Sequence, residues 1–145
     1  MTPVIDHIHI TVADLDRAER FYDRLLPLLG FDPALKERDS VPEHAYRIVE
    51  YHHRNFSLGL VCPRGEWEDE PVNRRRPGAL HHLAFHVESR EEVDTLYGAV
   101  RALPAAIVHG PRLYPEYCPD YYAFFFKDSE NIEWEIVSFA RKRCF

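Results

Sequence analysis

Apolar and polar residues alternate near the start of the chain, and the spacing then becomes helical. The alternating stretch from Val4 to Val12 is rich in β-branched residues, which predicts a strand. Asp14 stands where a helix N-cap would, and Gly30 is placed to end the helix. We expect Pro27 to tighten or kink the last turn, because proline lacks a backbone donor. The apolar stripe of this helix consists of Leu15, Ala18, Tyr22, Leu25, Leu26 and Leu29.

Three more strands are predicted in the first half, and the second half repeats the order. The first-half strands cover about residues 31–38, 45–53 and 56–62, with a tight turn near Arg54 and Asn55. A strand at 79–87 opens the second half, and Ser89 with Glu92 forms a capping box for the next helix. Strands at about 105–108, 121–127 and 132–139 follow. The predicted order is therefore βαβββ, twice.

The two halves also align residue by residue. His7 falls on His82, Asn55 on Asn131 and Gly59 on Glu135, at an offset of about 75 residues. Two copies are too few for a solenoid and suit a pseudo-symmetric domain of class α+β. We expect one domain over residues 1–145, with modules at about 1–62 and 79–145 and a linker at about 63–78.

Composition narrows the class of protein. With 145 residues and 46% apolar content, the chain can bury one substantial core, and it has no apolar run that could span a membrane. The start of the chain does not resemble a secretory signal, so we expect a cytoplasmic location. A net charge of −6 argues against nucleic acid as a partner. The run Arg74 to Arg76 is interpreted as part of a solvated linker.

The cysteines are expected to be reduced. There are three, an odd number, and they are scattered without a CxxC pair. This arrangement fits free thiols better than a disulfide framework. The three are Cys62, Cys118 and Cys144.

Strand alternation gathers the candidate chemistry on one face of each sheet. His7 and His9 share a face, while the apolar residues between them point to the helix. His82 and His86 repeat that arrangement, and Glu133 and Glu135 form a comparable row in the last strand. Imidazole and carboxylate are ligands for zinc, iron, manganese and nickel. A hydrogen-bonded structural role is the alternative for any single histidine, but matched positions in two copies favour a metal site.

The stretch DHIHITVADLDRAERFY, followed by a leucine-rich helix end and GF, resembles the opening module of the vicinal oxygen chelate superfamily. The segments LHHLAFHV and YYAFFFKDSENIEWEIV are similar to the closing module of that family. The group includes glyoxalase I, extradiol dioxygenases, fosfomycin-resistance proteins, methylmalonyl-CoA epimerase and bleomycin-resistance proteins. The resemblance covers nearly the whole chain and implies two βαβββ modules whose curved sheets surround a metal cavity.

The resemblance also implies a ligand set. It selects His7, seven residues before Asp14, together with His82 and Glu135, as ligands of one divalent metal ion, which could be Fe, Mn, Zn or Ni. Gly59 stands where glyoxalase I-like enzymes carry a ligand that also serves as the base. Glyoxalase I activity is therefore disfavoured. A dioxygenase, a lyase or isomerase, or a fosfomycin transferase acting on a small vicinally oxygenated substrate is expected instead.

Several alternatives stay open at this point. His9, His86 and Tyr122 could be acid/base or orienting groups beside the metal, or merely polar lining. The aromatic run 121–126 could form a wall for a ligand, core, or a dimer contact. A metal-free drug-binding protein of the bleomycin-resistance type is the second functional hypothesis, and a structural or regulatory module is the third. We expect a homodimer, with a site formed within one chain or by exchange of modules between two.

Overall fold

The computed structural model describes residues 1–145, which divide into two compact units, Met1–Val72 and Asn73–Phe145. Each unit holds one four-stranded mixed sheet and one α-helix in the order βαβββ. The predicted α+β class and the repeated module are thus confirmed. The boundary between the units falls within the stretch 63–78 that was interpreted as a linker.

The first unit has the strand order β1-β4-β3-β2. Strand β1 runs parallel to β4, and the other neighbours are antiparallel. The elements are β1 (His7–Thr11), α1 (Leu15–Leu25), β2 (Glu37–Val41), β3 (Tyr46–His52) and β4 (Ser57–Val61).

The second unit has the same topology, with the order β5-β8-β7-β6. Strand β5 again runs parallel to β8, and the remaining pairs are antiparallel. The elements are β5 (Leu83–His86), α2 (Arg90–Val100), β6 (Ala106–Leu113), β7 (Tyr122–Lys127) and β8 (Glu133–Ser138).

Both helices begin where the sequence predicts. The Asp14 side chain accepts a hydrogen bond from the backbone N–H of Arg17, and Ser89 accepts one from that of Glu92. Helix α1 ends earlier than expected, because a 3₁₀ turn that contains Pro27 follows it at Leu26–Leu29. Gly30 ends this turn with a φ of 86°, a conformation that glycine adopts without strain.

Three predicted strand boundaries were wrong. The segment after Gly30 first forms a 3₁₀ turn at Pro33–Leu35, because the Asp32 side chain accepts from the backbone N–H of Ala34, and β2 starts only at Glu37. Strand β5 is shorter than 79–87, so that His82 precedes it. Strand β6 is longer than 105–108, because register irregularities let it continue along β7.

The sheet faces separate as expected. Ile10 and Val12 are buried, while His7 and His9 on the alternate positions are exposed. In the second unit, Phe124 packs against Tyr97 of α2, and Phe126, Trp134 and Ile136 are fully buried in the core. None of the helices has the length and apolar content needed to cross a bilayer.

The expectation of three reduced cysteines was wrong. Cys118 and Cys144 form a disulfide with their Cα atoms 6.0 Å apart, and Cys62 is the free thiol. The positions of the cysteines in the sequence do not predict this pair. The two cysteines meet only because the folded chain brings the C-terminal segment to the loop before β7. Asp120 lies beside the two sulfurs, but a disulfide offers no thiolate to a metal ion.

Reduction of this disulfide should destabilise the protein by about 3 kcal/mol, since the bond closes a 26-residue loop in the unfolded chain. Thiol alkylation followed by mass spectrometry should label Cys62 alone before reduction and all three cysteines afterwards. Urea unfolding of the oxidised and reduced forms gives the difference in their free energies of unfolding. Labelling of Cys118 in the oxidised protein, or identical unfolding curves, would show that the bond does not form.

Candidate metal centre

Glu135 is a carboxylate in the interior of the second sheet. It lies in the middle of β8, with Ala84 of β5 and Phe125 of β7 as its register partners, and only 3% of it is exposed. Burial raises the pKa of Glu135, and Glu133 adds to the rise, whereas Tyr121 and His82 oppose it. A charge at this place costs free energy, and the structure provides specific partners that offset part of it.

The two oxygens of Glu135 have different partners. The Tyr121 hydroxyl donates to Oε1 at 2.6 Å, and the His82 Nε2 lies 3.5 Å from Oε2. Burial and the hydrogen bond to Glu135 raise the pKa of Tyr121, so this hydroxyl remains a neutral donor. Two of the three predicted ligands, His82 and Glu135, therefore converge in the structure.

Each predicted histidine ligand is held through Nδ1 by the side chain that precedes it. His82 Nδ1 lies 2.8 Å from Nδ1 of His81, and His7 Nδ1 lies 2.8 Å from an Asp6 carboxylate oxygen. When the proton of such a ring is on Nδ1, its Nε2 offers a lone pair to a metal. This feature recurs at the same place of the repeat, although the two holding residues differ chemically.

The strand registers support the repeat alignment. Ile8 pairs with Leu58 and His9 with Gly59 in the first unit, as Leu83 pairs with Trp134 and Ala84 with Glu135 in the second. Gly59 is thus the counterpart of Glu135.

The glycine also makes room for a ring. A Cβ atom on Gly59 would lie 2.6 Å from Cδ2 of His9, a distance that forbids any side chain unless the imidazole moves. The Nε2 of His9 contacts Glu50 Oε1 at 3.2 Å. In the first unit, the imidazole of His9 therefore occupies the space that a side chain at position 59 would need.

The other two candidate residues differ in their surroundings. His86 lies on the exposed face of β5, and its Nε2 contacts the Phe139 carbonyl oxygen at 2.9 Å. The Tyr122 hydroxyl instead donates to Asp94 of α2 at 2.9 Å, on the face opposite Glu135. Tyr121, which belongs to the predicted aromatic run but not to the candidate acid/base residues, is the tyrosine that reaches the carboxylate.

Glu133, which lies on the same face of β8 as Glu135, also has a partner. Its carboxylate forms an ion pair with Arg74, so at least one arginine of the run 74–76 has a partner instead of being solvated.

A cavity of about 800 Å³ in the second unit borders His82 and Glu135. Part of its wall is aromatic, because Tyr121 and Phe125 at odd-numbered positions face it while the even-numbered residues of β7 face the helix. Eight of the fourteen lining residues are charged or histidine. The aromatic lining residues are Tyr114, Tyr117, Tyr121, Phe125 and Phe145. A planar organic ligand fits such a wall.

Comparison with known proteins agrees with the fold. Residues 4–136 match the family model described as the Glyoxalase/Bleomycin resistance protein/Dioxygenase superfamily. The chain is 29% identical over 133 residues to YqjT, an uncharacterised protein of Bacillus subtilis strain 168, covering 91% of this chain and 96% of that one.

Two solved structures show the same fold at lower identity. One is a glyoxylase/bleomycin resistance protein/dioxygenase domain from Frankia sp. EAN1pec, with 24% identity, a TM-score of 0.74 and coverage of 97% of this chain and 99% of that one. The other is the fosfomycin resistance protein FosX of Listeria monocytogenes, complexed with Mn(II) and sulfate. It has 16% identity, a TM-score of 0.66 and coverage of 98% of this chain and 97% of that one.

Replacement of the buried carboxylate should stabilise the metal-free protein at neutral pH. Folding raises the pKa of Glu135. Ionisation of Glu135 therefore destabilises the folded state once the pH exceeds the pKa of an ordinary glutamate. Glu135→Gln removes this cost, so its melting temperature should exceed that of the wild type at pH 7. The difference should shrink in acid, where Glu135 is neutral in both the folded and unfolded states.

Glu116→Gln is the matched control, since Glu116 borders the same cavity but is exposed. Thermal melts of metal-free protein from pH 4 to pH 8 provide the measurement. A Glu135→Gln variant that is less stable than the wild type at pH 7 would contradict this reasoning.

Proposed function

The chain belongs to the Glyoxalase/Bleomycin resistance protein/Dioxygenase superfamily, and on that premise we propose that it is a divalent-metal-dependent enzyme. Its substrate is a small molecule with vicinal oxygens, and its metal ligands are His7, His82 and Glu135. The observation that carries the proposal is the pairing of a buried carboxylate oxygen with an imidazole nitrogen, Glu135 Oε2 and His82 Nε2.

The donor set fits a first-row divalent ion. Two donors that each lie about 2.1 Å from one tetrahedral ion are about 3.4 Å apart, which is close to the 3.5 Å between Glu135 Oε2 and His82 Nε2. Imidazole and carboxylate suit Fe, Mn, Zn or Ni alike. The fold is compatible with such an ion, because FosX of Listeria monocytogenes was solved as a complex with Mn(II).

His7 is proposed as the third ligand because it is the counterpart of His82 in the first unit and, like His82, has its Nδ1 in contact with the side chain of the preceding residue. We propose a homodimer, and His7 is contributed either by the same chain or by the second chain through exchanged modules. Mixed dimers of His7→Ala and His82→Ala chains separate the two arrangements. Exchange restores one complete site per mixed dimer, whereas ligation within one chain restores none.

Three protein ligands leave open positions for a substrate. When bound, a divalent ion supplies a Lewis acid that stabilises negative charge on vicinal oxygens. The protein residues hold this arrangement, and the aromatic wall of the cavity receives the body of the substrate. His9, supported by Glu50, and His86, held by the Phe139 carbonyl, are proposed to orient the substrate or move its protons.

Gly59 narrows the range of reactions that the protein could catalyse. A glycine cannot ligate a metal or accept a proton, so the glyoxalase I reaction, which needs a ligand that is also a base at this place, is disfavoured. The proposed classes are therefore a dioxygenase, a lyase or isomerase, or an addition of the fosfomycin-transferase type.

The aromatic wall supports a second candidate function. A protein that sequesters a drug or another aromatic ligand without metal, as in bleomycin resistance, would use the same cavity. The contact of the buried Glu135 carboxylate with His82 favours the metal-dependent enzyme, because a metal-free binding protein gains nothing from a carboxylate at this depth.

Metal titration tests the proposal. The wild type should bind about one divalent ion per chain, and His82→Ala and Glu135→Gln should each weaken binding by more than about 100-fold, since loss of a ligand costs more than loss of its supporting contact. His44→Ala is the control, because this exposed histidine lies in a 3₁₀ turn of the first unit, outside the proposed ligand set. Circular dichroism establishes that each variant is folded.

The absence of metal from the wild type, or full binding by His82→Ala, would overturn the metal-dependent enzyme. Tight binding of an aromatic ligand that a chelator leaves unchanged would instead favour the sequestering protein.

A further inference from the structure

Tyr121 holds one of the two carboxylate oxygens of Glu135. Its hydroxyl donates to Oε1 at 2.6 Å, a short bond of the kind that neutral donors form to carboxylates. The bond leaves Oε2 as the oxygen that faces His82 Nε2. A buried carboxylate without this donor could rotate and share its oxygens between the imidazole and the cavity.

The ring of Tyr121 is fixed by its neighbours. It packs against Phe139 with ring centroids 4.8 Å apart and edge-on against Tyr117 at 5.4 Å. These contacts on two sides restrict the side-chain torsions, so the hydroxyl position is set before any ligand arrives.

The backbone of Tyr121 is fixed as well. Its N–H donates to the Cys118 carbonyl at 3.0 Å, and its carbonyl accepts from the N–H of Tyr114 at 2.8 Å. The disulfide between Cys118 and Cys144 ties this loop to the C-terminal segment. The Tyr121 hydroxyl, its packed ring and the disulfide-bonded loop together support Glu135.

We propose that Tyr121 is a positioning residue of the metal site, which binds Glu135 Oε1 and thereby presents Oε2 to the metal beside His82. The inference rests on the proposed function, because it assigns to Glu135 the role of a ligand. Tyr121 itself does not coordinate the ion in this account; its hydroxyl acts through the carboxylate. Supporting hydrogen bonds of this kind typically contribute 10- to 100-fold to metal affinity.

The adjacent tyrosine provides a matched control. Tyr121 and Tyr122 are neighbours in sequence, and each hydroxyl donates to a carboxylate, but that of Tyr122 binds Asp94 of α2 on the opposite face of the sheet. Removal of either hydroxyl by substitution with phenylalanine keeps the ring and its packing. The two variants therefore differ in whether the lost bond ends at Glu135.

The test compares the affinity for Mn²⁺ or Zn²⁺ of the wild type, Tyr121→Phe and Tyr122→Phe by titration calorimetry, with unfolding curves of the metal-free proteins alongside. Tyr121→Phe should bind metal about 10- to 100-fold more weakly, while Tyr122→Phe should bind as the wild type does.

The outcomes separate the two proposals. Equal metal affinity of Tyr121→Phe and the wild type would overturn the positioning role while leaving the metal site intact. Equal losses in Tyr121→Phe and Tyr122→Phe would also overturn it, since a general structural effect would then explain both. A wild type that binds no metal would overturn the proposed function itself.

Discussion

The proposed metal site depends on one costly constraint, the burial of the Glu135 carboxylate in an interior strand of the second sheet. A strand between two neighbours normally carries apolar side chains, and Ile136 and Trp134 on either side of Glu135 follow that rule. The carboxylate breaks the pattern, and burial raises its pKa. Tyr121 and His82 offset part of the cost, and a divalent ion would offset more than either, because it attracts only the ionised form.

The two modules share a backbone and differ in the residues on its inner face. Equal topology and equal register place Gly59 and Glu135 at the same point of their sheets. The second module puts an acid there, whereas the first leaves space that His9 fills. Duplication therefore explains why two histidines match, and divergence at one position explains why only one carboxylate accompanies them.

Sequence patterns predicted the modules, the helix starts and the convergence of His82 with Glu135, because these follow from alternation, capping and repetition. They missed what depends on distant partners. The disulfide requires the C-terminal segment to reach Cys118, which no spacing reveals. Tyr122 is a candidate from the sequence, but the pairing of Phe125 with Glu135 places the odd-numbered residues, Tyr121 among them, on the face of the carboxylate. Strand β5 starts later than predicted, at Leu83, because its pairing with β8 begins there, with Leu83 opposite Trp134.

We propose that His7, His82 and Glu135 bind one metal ion, and X-ray absorption spectroscopy of the Zn²⁺-loaded protein would identify the neighbours of that ion. The spectrum should show nitrogen and oxygen neighbours only, with the scattering of two imidazole rings in the wild type and of one ring in His7→Ala and in His82→Ala. Sulfur in the coordination sphere, or an imidazole count that neither substitution changes, would contradict it.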